Sequence, residues 1–274
     1  MIEIPEAVVL AEQLNQTIQG KRIESVVAAS SPHKFAWFFG DPAGYDALLQ
    51  GRTIEAAFAY GGRVEIEAEG AIMHFGDGVN LRYFANKEKL PAKHQLWVKF
   101  EDESSLICTI AMYGGMWCCK KGELDDFYSQ AAKEKPSPLS DRFDDGYFLS
   151  LFDEKSLKLS AKAFLAAEQR IPGLGNGVLQ DILLNSKIHP KRKMNKIDDG
   201  QKDLLFKSVK NTLSDMVSGG GRDTETDLFG NAGGYKTKMS KVNKAMVCPI
   251  CSGTVRKENY MGGSIYYCES CQCN

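Results

Sequence analysis

Apolar residues in the first twenty positions recur at helical spacing. Val8, Leu10, Ala11, Leu14 and Ile18 fall on one face, Pro5 sits near the first turn and Gly20 closes the run, so a helix is predicted over 5–20. The period then shortens. Residues 23–28, 53–60, 63–68, 71–75, 80–84, 95–100 and 105–112 are β-prone, and Arg63-Val64-Glu65-Ile66-Glu67 alternates as a strand with one wet face does. Gly61-Gly62, Glu69-Gly70 and Gly76-Asp77-Gly78 punctuate these runs, and strands at such short spacing predict a sandwich or barrel. Residues 131–145, with Pro136, Pro138 and several charges, read as a linker. Helical periodicity returns over 160–169, 177–186 and 198–217. Six glycines between Gly219 and Gly234 predict a mobile loop, and Lys236, Lys238, Lys241 and Lys244 lead from it into a last pair of short strands, 254–256 and 264–267.

Composition changes this picture little. The chain has 274 residues, is 43% hydrophobic and 25% charged, and holds no run near the roughly 18–20 apolar residues of a membrane span. Its front end lacks the cationic and apolar regions of a secretion signal. A membrane protein, a collagen and a disordered chain are excluded, and a cytoplasmic location is the expectation. Charge adds more. The net charge is −1, but residues 187–274 carry 15 Lys/Arg against 9 Asp/Glu, and residues 1–186 carry 19 against 26. The basic part suits a polyanion, and a merely solvated basic surface would look the same.

The cysteines are sharper. Cys248-x2-Cys251-x16-Cys268-x2-Cys271, with Cys273 just beyond, sets two CxxC pairs at the spacing of a tetrahedral Zn²⁺ site, one ion per chain. The competing reading, two disulfides, fails in a reducing compartment. Cys273 is a spare thiol or a substitute for Cys271. A tail this short has no core of its own, so metal binding, worth on the order of 10–16 kcal/mol in finger peptides, would supply most of its folding energy. Four sulfur ligands leave no open position for water, which makes the zinc structural.

Pro172-Gly173-Leu174-Gly175-Asn176-Gly177 is a glycine-rich turn between two predicted helices. Its backbone N–H groups, with the Asn176 side chain, could hold a phosphate; a tight ligand-free turn is the alternative. Together with Ile188-His189-Pro190, the ribbon ending Cys271-Gln272 and the opening Met1-Ile2-Glu3-Ile4-Pro5-Glu6, this turn resembles the helix–two-turn–helix proteins of the formamidopyrimidine-DNA glycosylase and endonuclease VIII superfamily. The resemblance runs the length of the chain. It implies an α+β fold: an N-terminal helix on a β-sandwich (1–130), a linker (131–150), a helix–two-turn–helix domain (151–218), a flexible loop and basic segment (219–245) and a zinc finger (246–274). Damaged double-stranded DNA would lie in the cleft, bound by a monomer with no membrane partner.

The same resemblance points to Glu3 as the catalytic carboxylate, and to Lys162, Gly175, Asn176, Met112, Tyr113 and Arg222 as DNA contacts. The family's attacking group is the α-amine of an N-terminal proline, and Ile2 stands in that place. A retained Met1 would carry the amine one residue, about 3.5 Å, out of position. Gly62 replaces a DNA-contacting lysine, Asp77 a methionine that fills the hole left by an everted base, and Gly263 a phosphate-binding arginine; Met112-Tyr113 falls where a second wedge pair lies. The divergent front end therefore implies a glycosylase that hydrolyses the N-glycosidic bond through Glu3 with little or no abasic-site lyase activity, or else a non-catalytic binder of damaged or bent DNA. Arg222, Asp223 and Glu225 either read a base edge or solvate the loop.

Overall fold

The computed structural model describes residues 1–86 and 88–272. The first helix, α1 (Ile4–Ile18), starts immediately after Glu3 and lies across a sheet. The chain then forms β1 (Ile23–Ala28), β2 (Ala36–Phe38), α2 (Tyr45–Leu49), β3 (Ile54–Tyr60), β4 (Arg63–Ala68), β5 (Ala71–Phe84), β6 (Leu96–Phe100) and β7 (Ser105–Lys120). Strand order is β1-β6-β7-β5-β4-β3, with β2 pairing β7 in parallel. The long strands β5 and β7 run through both halves of the sheet. Paired with each other along their length, they meet β6 on the first part of β7, β2 on its second part and β4 on the first part of β5, so the sheet folds over a single core that includes Val26, Leu81, Val98, Phe75 and Met116.

Where the sheet bends, β7 carries a bulge: Asp77 pairs with Gly114 and Val79 with Ile110, leaving Ala111-Met112-Tyr113 opposite Gly78. Such an insertion bends its strand and re-aims side chains, and bulges recur beside active sites. The sequence reading split β5 at Gly76-Asp77-Gly78 and ended β7 at Met112. In fact one strand passes through each point, because the glycines serve close approach here and not a chain reversal. Residues 131–145, read as a linker, include the end of α3 (Phe127–Glu134) and the start of α4 (Asp145–Ser150).

The helical part consists of α5 (Ala161–Ala166), α6 (Leu179–Asn185) and α7 (Asp199–Ser218). Its core, around Phe143, Phe148, Phe164, Leu183 and Leu213, also takes in Ile4 of α1, whereas Ala7, Leu10, Leu14 and Ile18 of the same helix belong to the sheet core. The segment 219–234 has no helix or strand, as its glycines imply, yet it is fastened down. Leu228 is fully buried in the sheet core, Tyr83 N–H donates to the Leu228 carbonyl at 2.9 Å, and Asp181 of α6 accepts N–H bonds from Lys238 and Met239. β8 (Val255–Tyr260) and β9 (Gly263–Cys268) form the terminal ribbon, whose small core includes Cys248, Val255 and Cys268. Cys273 lies outside the described residues.

Candidate active site

Glu3 precedes α1 at a position where its side chain can leave the helix and cross to the two-turn. Its Oε1 accepts the Gly177 N–H at 2.9 Å and its Oε2 the Val178 N–H at 2.8 Å, just ahead of α6. The anion held by the glycine-rich turn is therefore the chain's own carboxylate, and the phosphate site expected at these two N–H groups is filled from within. The glycines are explained by the same approach. A Cβ on Gly175 would lie 2.6 Å from Glu3 Cδ, one on Gly177 would collide with Arg222 Nη1, and one on Gly173 would collide with the Gly62 backbone. Burial pushes Glu3 up from its ordinary value, with Arg222 the main opposing influence.

Arg222 is 2% exposed and reads no base edge. Its Nε and Nη2 donate to Glu6 at 2.8 and 2.6 Å, and its Nη1 lies 3.6 Å from Glu3 Oε2. A guanidinium fork beside two buried carboxylates is a strong internal clasp, which fixes loop 219–234 to the first turn of α1. Sequence reasoning set base reading against solvation for this residue; neither holds, because Glu3 and Glu6 compete for the charge. Glu225 pairs with the Met1 α-amine.

Beside Glu3, the Ile2 N–H donates to the Asp77 carbonyl at 2.8 Å, and a Cβ on Gly62 would meet the Ile2 carbonyl at 3.0 Å and Gly173 Cα at 3.1 Å. A side chain at Gly62 would require these backbone neighbours to give way by a few tenths of an ångström, so the place of the absent lysine is tight. Ile2, Glu3, Gly62, Arg63, Asp77 and Gly173–Gly175 line a cavity of about 130 Å³ between the sheet and the two-turn. Arg63 lies between the rings of Trp117 and Tyr128, at 5.1 and 5.6 Å. Behind it, His74 Nδ1 contacts Glu65 at 3.1 Å and His74 Nε2 contacts Ser129 Oγ at 2.8 Å, while Lys133 closes on Glu65 at 2.7 Å. Burial holds His74 below its ordinary value despite Glu65.

The bulge sets Met112 at the rim, 69% exposed, and Tyr113 packs against Trp37 at 5.8 Å between ring centres. Trp37 and Phe35, both exposed, extend this apolar rim. Sequence reasoning missed them; the signal was an aromatic-rich stretch, Phe35 to Phe39, among polar residues. Across the cleft, Lys162 donates to the Tyr260 carbonyl at 2.6 Å and Asn176 Nδ2 to the Ser264 carbonyl at 3.0 Å. Both heads converge on Gly263, where a Cβ would lie 3.4 Å from each. Burial lowers the Lys162 amine from its ordinary value.

The four cysteine sulfurs of the ribbon lie within 4.8 Å of one another, with Cys251–Cys268 at 3.5 Å and Cys248–Cys271 at 3.9 Å. Sulfurs bound at 2.3 Å to a tetrahedral metal stand ~3.8 Å apart, so the quartet fits such an ion and none of the pairs is a disulfide.

Front end, glycine two-turn and four-cysteine ribbon thus meet at one cleft of a two-cored α+β protein. The sequence matches the family model of the formamidopyrimidine-DNA glycosylase N-terminal domain over residues 1–109. Formamidopyrimidine-DNA glycosylases of Wolbachia pipientis wMel and Listeria innocua are 28% and 24% identical to it, over 99% of this chain and 100% of theirs. A Lactococcus lactis Fpg solved with DNA containing an abasic site superposes with a TM-score of 0.81 at 22% identity, covering 99% of this chain and all of that one. The Thermus thermophilus MutM protein gives 0.81 at 20%, covering 98% of both. The chain is thus similar along its whole length to formamidopyrimidine-DNA glycosylases and shares the fold of their solved structures.

Proposed function

We propose that this protein is a DNA-repair glycosylase that binds damaged duplex DNA in the cleft and releases the damaged base by hydrolysis, with little or no abasic-site lyase activity. Full-length relatives carry the glycosylase name, and Lactococcus lactis Fpg has been solved with abasic and FAPY-dG DNA. The observation that carries the hydrolytic reading is the front end itself. At Ile2, where the family's attacking nitrogen would stand, the nitrogen is a peptide N–H that donates to the Asp77 carbonyl at 2.8 Å, and the Met1 α-amine is paired with Glu225 on the loop side of the cleft. A peptide nitrogen has its lone pair delocalised into the carbonyl and forms no imine with C1′. Glu3 supplies negative charge beside the sugar, where an oxocarbenium-like centre develops. Lys162, Asn176 and the turn at Gly263 offer donors to the phosphate backbone, Met112 and Tyr113 fill the stack left by the everted base, and one Zn²⁺ held by Cys248, Cys251, Cys268 and Cys271 fixes the ribbon.

A second reading, a non-catalytic binder of damaged or bent DNA, is favoured by one fact: both Glu3 oxygens already accept backbone N–H bonds. A panel of damaged-base duplexes, assayed for base release by wild type and Glu3→Gln, separates the two. Release by wild type and not by the variant supports the hydrolase. Tight lesion binding without release supports the binder. Borohydride should trap little covalent complex on abasic DNA; a strong adduct would restore the amine mechanism.

A further inference from the structure

Glu3 is 4% exposed and engaged by two backbone donors, which leaves open how water would be activated in this cleft. Strand β5 offers a second carboxylate. Within Gly76-Asp77-Gly78, a Cβ on Gly76 would collide with Arg63 Nη1 and one on Gly78 with the Tyr113 carbonyl. Asp77 is therefore the one side chain this stretch can present, and its backbone sits at φ 62°, in the left-handed region. That conformation is costly for non-glycine residues, for Asp less than most, and it persists where surrounding structure imposes it, often at functional sites. Here the imposing contact is the Ile2 N–H on the Asp77 carbonyl, 2.8 Å, which pins the residue beside the front end.

Two neighbours point the same way. Arg63 Nη2 lies 3.9 Å from Asp77 Oδ2 and 4.0 Å from Asp126 Oδ2, and among the described residues Arg63 Nη1 is buried with no hydrogen-bond partner although the guanidinium lines the cavity. A buried donor left unpaired is costly, and a ligand acceptor such as a phosphate oxygen would satisfy it. Asp77 and Glu3 both line the cavity of about 130 Å³, so the two carboxylates face one space.

We propose that Asp77 is the catalytic general base, taking a proton from the water that attacks C1′, with Arg63 as its positioning residue. This rests on the hydrolytic reading above. The water oxygen forms the new bond to C1′, the glycosidic C1′–N bond breaks with its electron pair leaving on the base, and the proton accepted by Asp77 returns through solvent to the base nitrogen. The products are the abasic hemiacetal and the free base, and no oxidant or further reactant is needed.

The test uses the full chain on a duplex carrying one formamidopyrimidine-dG, with single-turnover release read by alkali cleavage of the abasic product. Asp77→Asn keeps the size and tolerates the left-handed backbone, so it tests chemistry and not folding. The expected outcome is a loss of ~10²–10⁴-fold in release. Affinity for a tetrahydrofuran abasic duplex should stay unchanged, and the acid limb of the wild-type pH–rate profile should disappear. Arg63→Lys should slow release less than Asp77→Asn and flatten nothing in that profile. Wild-type release matched by Asp77→Asn, or release and abasic affinity lost in parallel, overturns the role of Asp77 while leaving hydrolysis intact. A wild type that releases no base overturns both.

Discussion

Arg222 shows how much of this site depends on one side chain. Its guanidinium is shared by Glu3 and Glu6, and removing it leaves two buried carboxylates without their counter-charge. Breaking a buried pair from one side costs about 3–5 kcal/mol, far more than a surface pair. Arg222→Ala should lower urea-unfolding stability by that order, and Arg222→Lys, lacking the fork, should recover part of the loss. His74 gives a second measurable effect. Its value in the folded chain lies below the ordinary one, chiefly through burial, so below about pH 6.5 the unfolded chain binds more protons and stability falls as pH drops. His74→Gln removes that proton uptake. The difference between wild type and variant should therefore be flat above about pH 7 and shift toward the variant from pH 6.5 to 5. Taking the difference cancels His189, Glu3 and Asp181, whose burial also displaces them.

At the scale of elements, what the sequence revealed was what is local. Helix α1, strands β1 and β4 and the ribbon follow from period and spacing, and four cysteines in register define their own cluster. β5 and β7 were cut short because glycine reads as punctuation, whereas Gly78 and Gly114 make room for Tyr113 and Val79 at a bulge. The short helices α2 and α4 hold too few residues to show a period. Arg222 was misplaced for a different reason: its partner Glu6 is 216 residues away, and no local pattern encodes that distance. The ribbon carries this scale's prediction. Chelation of the Zn²⁺ proposed for the four cysteines, or Cys268→Ser, should unfold β8–β9 with loss of the Lys162 and Asn176 contacts, and weaken DNA binding by at least about tenfold while leaving the sheet domain's circular dichroism in place.

The whole molecule is nearly neutral, yet its cations are concentrated toward the two-turn and the ribbon, with Lys191, Arg192, Lys193 and Lys196 together on one face. Affinity for a damaged duplex should fall linearly on a log–log plot against salt, with a slope of about −0.9 per phosphate neutralised. A flat plot would contradict a cleft that grips the backbone. The division of α1 between two cores bears on how that grip is achieved. Ile4 belongs to the helical side and Ala7 onward to the sheet side, so the boundary falls within a single helical turn, the one that Arg222 clasps. Any rotation of the jaws about bound DNA must bend the protein at this pivot. On the proposed reading the residues next to the reaction also stand at this boundary, so a substitution that loosens it should slow base release before it lowers unfolding stability.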